Sequence, residues 1–95
     1  MEFIWRDEQL LCQDDAKELL GSIGFKMINN AQTYVIEHTW VAPSARGKGI
    51  AKKMTVYFLE QAEKEGKTIL PLCPYTQKFF ESESKYKNLL FKQNK

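Results

Sequence analysis

The chain has 95 residues, of which 43% are hydrophobic, 27% charged and 13% aromatic, with a formal net charge of +2. That length makes one small domain, residues 1–95, with a modest core. The charge is too small for a general nucleic-acid coat, and no apolar run approaches the roughly 20 residues that span a bilayer. The start, Met1-Glu2-Phe3-Ile4-Trp5-Arg6-Asp7-Glu8, lacks the basic-then-apolar pattern of a secretion signal, so a cytoplasmic location is expected. There Cys12 and Cys73 are expected as free thiols. Two cysteines and one histidine are too few for a four-ligand zinc site, and no metal is expected.

Glu2 to Arg6 alternates charge with Phe3 and Trp5 and predicts a first strand. Gln9-Leu10-Leu11-Cys12 is a second, followed by a turn at Gln13-Asp14-Asp15. Leu19, Ile23, Phe25 and Met27 fall on one face at period two, with Gly21 as the gap, in a long third strand of uncertain start. Asn29-Asn30 tolerates positive φ and predicts a hairpin turn. Thr33 to Val41, dense in β-branched and aromatic residues, then pairs back as a fourth strand. Pro43 stops it.

Gly49 to Glu65 is the clearest helix, with Ile50, Met54, Tyr57, Phe58 and Ala62 on one stripe and Gly66 as a left-handed cap. Thr68-Ile69-Leu70-Pro71-Leu72 is an apolar fifth strand. A strand, a helix and a strand imply a right-handed crossover, so the fourth and fifth strands should be parallel. Tyr75 to Glu81 reads as a helix with Pro74 at its first position and Phe79 and Phe80 inward. Tyr86 to Phe91 is a last short helix or turn, and the tail 92–95 is expected to fray.

Between the fourth strand and the long helix lies Arg46-Gly47-Lys48-Gly49-Ile50-Ala51. Its glycines leave backbone amides unobstructed, and the helix that follows begins on them. Unpaired N–H groups and the positive dipole end suit a phosphate or pyrophosphate. Neither G-x-x-x-x-G-K-[ST] nor G-x-G-x-x-G is present, which excludes the standard nucleotide P-loop and the dinucleotide fingerprint.

The run does match [QR]-x-x-G-x-[GA], the acetyl-coenzyme A signature of the GNAT acyltransferases, with Arg46, Gly49 and Ala51 at its defined positions. His38-Thr39-x-Val41 before it and Cys73-Pro74-Tyr75 after it resemble a compact subgroup of roughly 90–110 residues, a length that suits one domain. The resemblance covers nearly the whole chain. It implies an α+β fold: a mixed, mostly antiparallel sheet of about five strands, splayed between the fourth and fifth, with one long helix after the fourth strand and short C-terminal helices. Acetyl-CoA would sit in the splay as cosubstrate. Its pyrophosphate would meet the amides of Arg46, Gly47, Lys48, Gly49, Ile50 and Ala51, and its pantetheine the backbone near Trp40 and Val41. Lys48, Lys52 or Lys53 would meet the ribose phosphate as point charges, although a solvated helix face is the ordinary role of each. The early strands leave no room for the two helices that build the acceptor site in larger relatives.

Acetyl transfer to an amine needs a free amine, a polarised thioester carbonyl and a proton for the leaving thiolate. Cys73, just before a helix, has the context of a lowered thiol pKa and is the first catalytic candidate; a small buried core residue is its alternative. Cys12 reads as structural. His38, the one histidine, suits a general base, and a core histidine satisfied by hydrogen bonds is equally expected. Strand alternation puts Tyr34, Ile36, His38 and Trp40 on one face and Glu37, the rival base, with Thr39 on the other. Tyr75 is a candidate proton donor, or an aromatic packed under the last helix. The leading expectation is an acetyl-CoA-dependent N-acetyltransferase with an unidentified amine acceptor, a small molecule or a protein. A non-catalytic CoA-binding or sensing module is the second, and a nucleic-acid binder that stacks bases on Trp5, Trp40 or Tyr57 the third. An open sheet edge allows a monomer or a homodimer.

Overall fold

A computed structural model of the chain describes residues 1–92. Four strands come first: β1 (Glu2–Arg6), β2 (Gln9–Gln13), β3 (Leu19–Ile28) and β4 (Thr33–Val41). A 3-10 turn, Pro43–Ala45, leads to helix α1 (Ile50–Glu65), strand β5 (Thr68–Pro71), helix α2 (Pro74–Ser82) and a last 3-10 turn, Ser84–Leu89. The sheet order is β1-β2-β3-β4-β5. The first three pairings are antiparallel and β4–β5 is parallel, as the crossover requires. The expected α+β fold is therefore present. Of the tail expected to fray, 93–95 lie outside the described residues.

Apolar spacing explains how the layers meet. The stripe Ile50, Met54, Phe58 and Ala62 of α1 is buried, with Thr55 and Leu59 beside it. Phe58 sits at the centre of an aromatic cluster, its ring 5.1 Å from that of Trp5, 5.4 Å from Phe25 and 4.9 Å from Tyr34. Tyr57 lies at the rim instead, stacked on Phe3 at 4.3 Å. Gly21 is the gap that admits the helix: a Cβ there would stand 2.8 Å from Met54 Cε and 2.7 Å from the Trp40 carbonyl oxygen. Phe79 and Phe80 of α2 join the same core, and α2 ends beside α1, where Lys52 Nζ is 3.7 Å from Glu83 Oε1.

The β3–β4 turn is longer than the Asn29-Asn30 pair. Ala31 also takes a left-handed φ of 62°, and the Gln32 amide donates back to the Ile28 and Asn29 carbonyls.

Two irregularities in β4 shape the site. Ile36 opposes Phe25 and His38 opposes Gly24, so Glu37 is an extra residue without a partner on β3. This β-bulge exchanges the faces of everything after it. Tyr34 and Ile36 share the helix-covered face with Phe25, but Thr39, opposite Ile23, now takes that face. His38 and Trp40 turn to the other. The alternation expected from the sequence holds only as far as Ile36. The second irregularity is that β5 pairs only with Thr33–Ile36. The Leu72 and Cys73 amides both donate to the Ile36 carbonyl, at 2.9 and 3.0 Å, and the chain then leaves the sheet. Residues 37–41 have no β5 partner, and the strands are splayed there.

Candidate active site

The glycine turn forms one end of the splay. Gly47 and Gly49 hold φ of 81° and 74°, which L side chains rarely adopt. A Cβ at either would meet nothing within 4 Å, so the glycines serve the backbone and leave the space above it open. Gly49 caps α1 with no side-chain hydrogen bond. The first helical bond back to the cap is that of the Lys53 amide to the Gly49 carbonyl, at 3.0 Å, so the amides of Ile50, Ala51 and Lys52 have no intrahelical partner. Arg46 braces the turn by donating from Nε to the Val41 carbonyl at 3.1 Å. Val41, Arg46, Gly47, Gly49, Ile50, Ala51, Lys52 and Tyr75 surround a hollow of about 180 Å³. Lys48 and Lys53 are exposed. Unpaired amides, an uncapped helix dipole and nearby cations fit a pyrophosphate.

Cys73 stands at the other end. Only 4% exposed, it is the N-cap of α2. Pro74, at the first helical position, has no N–H, so the first free amides are those of Tyr75 and Thr76. As a thiol, Cys73 makes no capping hydrogen bond. Its Sγ lies 3.5 Å from Thr39 Oγ1 across the splay. Burial pushes its pKa up, but the Thr39 hydroxyl, the Thr76 and Tyr75 amides and the Thr76 hydroxyl outweigh burial and bring it below the ordinary value. Cys12 behaves oppositely. It is fully buried in the core, and burial raises its pKa against the opposing charges of the N-terminus and Lys53.

The other candidates lie in separate hollows. Tyr75, 37% exposed, lines the hollow of the glycine turn and a second one with Lys52, Phe79 and Glu83. Burial raises its phenol pKa, so it carries its proton at neutral pH. His38 lies with its ring against Gly24, where a Cβ would fall 2.1 Å from Cε1. His38 and Glu37 line one hollow of about 310 Å³ with Arg6, Glu8 and Lys26. The bulge thus places the two rival bases together, where alternation had separated them. It also turns His38 from Cys73, whose side-chain hydrogen bond goes to Thr39. Trp40 is exposed on the same face as His38, and Val41 borders the glycine turn.

Sequence reasoning gave no role to Thr39 or Thr76. Thr39 was assigned to the wrong face because one extra residue is invisible to a period-two pattern. Thr76 had a usable signal: it stands three residues after Cys73, the spacing at which an N-cap meets the helix.

A family model described as GCN5-related N-acetyl-transferase matches residues 9–89. Among solved structures, a GCN5-like protein from Staphylococcus aureus superposes with a TM-score of 0.75 at 22% identity, covering 98% of this chain and 90% of its own. The N-acetylglutamate synthase of Neisseria gonorrhoeae, complexed with coenzyme A and N-acetyl-glutamate, gives 0.62 at 21% identity over 79% of this chain, which spans only 18% of that one. The ribosomal-protein-alanine N-acetyltransferase of Brucella melitensis gives 0.58 at 22% identity over 92% of this chain and 64% of its own. At these identities the structures speak for the fold, while the family match takes in both the glycine turn and Cys73. The chain belongs to the GCN5-related N-acetyltransferase family.

Proposed function

We propose that this domain binds acetyl-CoA in the β4–β5 splay and transfers the acetyl group to an amine. The observation that carries the reading is the alignment of a pyrophosphate-sized amide cradle, an unpaired stretch of β4 and an activated thiol along one cleft. The coenzyme A in the gonococcal synthase supports the choice of ligand. The amides of 46–51 hold the pyrophosphate, and the free edge of β4 near Trp40 and Val41 receives the pantetheine. Lys48, Lys52 and Lys53 are the cations available to the ribose phosphate. His38 or Glu37 takes the proton of the attacking amine, and Tyr75 donates one to the departing CoA sulfur. Cys73, as thiolate, has two routes. In one it takes the amine proton in place of His38 or Glu37 while the amine forms the new C–N bond and the thioester C–S bond breaks. Alternatively it attacks the thioester itself, releases CoA and passes the acetyl group to the amine in a second step, regaining its thiolate.

Calorimetric titration with acetyl-CoA tests the reading. Wild-type protein should bind saturably and Gly49→Glu should not, because the carboxylate and its strained φ block the cradle. Absence of wild-type binding would overturn both this reading and the one that follows.

One observation favours a non-catalytic CoA module. Only residues 14–18 connect β2 to β3, so among the described residues no helix covers the His38 face as an acceptor wall. Replacing Cys73 and His38 by alanine separates the readings: an enzyme loses transfer and keeps CoA affinity, whereas a module has no transfer to lose.

A further inference from the structure

We infer that Thr76 is a positioning residue for Cys73, its buried hydroxyl forming with the Thr39 hydroxyl and the Tyr75 and Thr76 amides a cradle that holds the sulfur as an anion. The inference rests on the reading that Cys73 is the reactive group, and it adds Thr76, which lies outside the family signature and outside the runs that carry the resemblance. Thr76 is fully buried. Its Oγ1 is the one buried side-chain oxygen or nitrogen among the described residues without a hydrogen-bond partner. Leaving such a hydroxyl unpaired costs free energy, and an apolar isostere would avoid that cost. Thr76 is also the third residue of α2, beside its N-cap, and its hydroxyl is among the groups that favour ionised Cys73. The orphaned oxygen therefore has a purpose in one state of the site. With neutral Cys73, the thiol hydrogen points to Thr39, and Thr76 and the two amides lack an acceptor. When that proton leaves, the sulfur becomes the acceptor for all of them, and Thr39 reverses from acceptor to donor. No charged side chain contributes to the lowered thiol pKa, so the anion is held by neutral donors and a helix end.

Ultraviolet titration of the thiolate in intact protein, with Cys73→Ala as the blank for Cys12 and the tyrosines, tests this without relying on catalysis. The expectation is a wild-type midpoint below that of an ordinary cysteine. Thr76→Val should lose roughly tenfold of the thiolate fraction near neutral pH, the equivalent of one hydrogen bond to a charged group. Thr76→Ser should restore it, and Thr39→Val should show a similar loss. At a pH below the thiol midpoint Thr76→Val should also melt no lower than wild type, since the hydroxyl it removes is unpaired in the neutral state. A merely structural hydroxyl would do the reverse, lowering the melting temperature and leaving the titration unchanged, and that result overturns the inference. If Cys73→Ala retains full transfer while Thr76→Val still shifts the titration, the cradle stands and the catalytic reading of Cys73 falls.

Discussion

At the scale of single residues, the contact of His38 with Gly24 makes its catalytic role separable from its identity. The imidazole rests where a Cβ on residue 24 would be, 2.1 to 2.7 Å from three ring atoms. Gly24→Ala must rotate the ring while leaving it chemically intact. If His38 is the base, its position matters as much as its pKa. Gly24→Ala should then lose transfer about as severely as His38→Ala, on the order of a hundredfold, with CoA affinity unchanged in both. Steady-state kinetics with a shared acceptor decides it. Full activity in Gly24→Ala beside an inactive His38→Ala would mean that the resting pose is irrelevant. The glycine turn before α1 and the cysteine before α2 were legible in the sequence, because glycines before a helix and a cysteine before a proline are local signals. Which of them meet was not. Both the separation of His38 from Cys73 and the pairing of Glu37 with His38 follow from one residue gained in β4, and nothing in Ile36-Glu37-His38 announces it.

Elements were read more securely than contacts, for a physical reason. Helix α1 is specified by an apolar stripe, a glycine start and a glycine end, and it runs from Ile50 to Glu65 as its pattern requires. The stripe alone did not rank its members. Phe58 and Tyr57 are adjacent aromatics, yet Phe58 is fully buried among Trp5, Phe25 and Tyr34, while Tyr57 is half-exposed. Phe58→Ala should therefore cost about 3–5 kcal/mol, a large part of the roughly 5–15 kcal/mol that holds a small domain together. Tyr57→Ala should cost clearly less. Urea unfolding of the two variants measures the difference, and equal losses would refute the central place given to Phe58. A helix held this firmly also matters for the proposed function, since its first turn borders the hollow shared with Val41 and Tyr75.

Across the whole molecule, a polar contact joins the sheet to the far end of α1, and it makes stability depend on alkaline pH. Tyr34 on β4 donates its hydroxyl to Glu65 Oε1, at the last residue of α1, and Lys67 Nζ lies 5.4 Å from the Tyr34 ring centre and 3.5 Å from the same carboxylate oxygen. Burial first, then the Glu65 hydrogen bond and charge, raises the Tyr34 pKa well above its ordinary 10.0. Burial likewise raises Cys12 above 9.0. Both groups keep their protons in the folded state at pH values where the unfolded chain has lost them. Their contribution is complete below the unfolded values and is lost as pH rises beyond them. Cys73, with its lowered pKa, works in the other direction: its contribution is present above the unfolded value and fades as pH falls through the folded one. Melting temperature should therefore fall from pH 9 upward, most steeply above pH 10. Tyr34→Phe should lose about 1 kcal/mol near neutral pH with the hydrogen bond, yet decline more gently above pH 10, so that the two curves converge. A thermal series from pH 7 to 11 resolves this. If Tyr34→Phe falls as steeply as wild type, the alkaline loss lies elsewhere, and the clasp between sheet and helix is not what titrates.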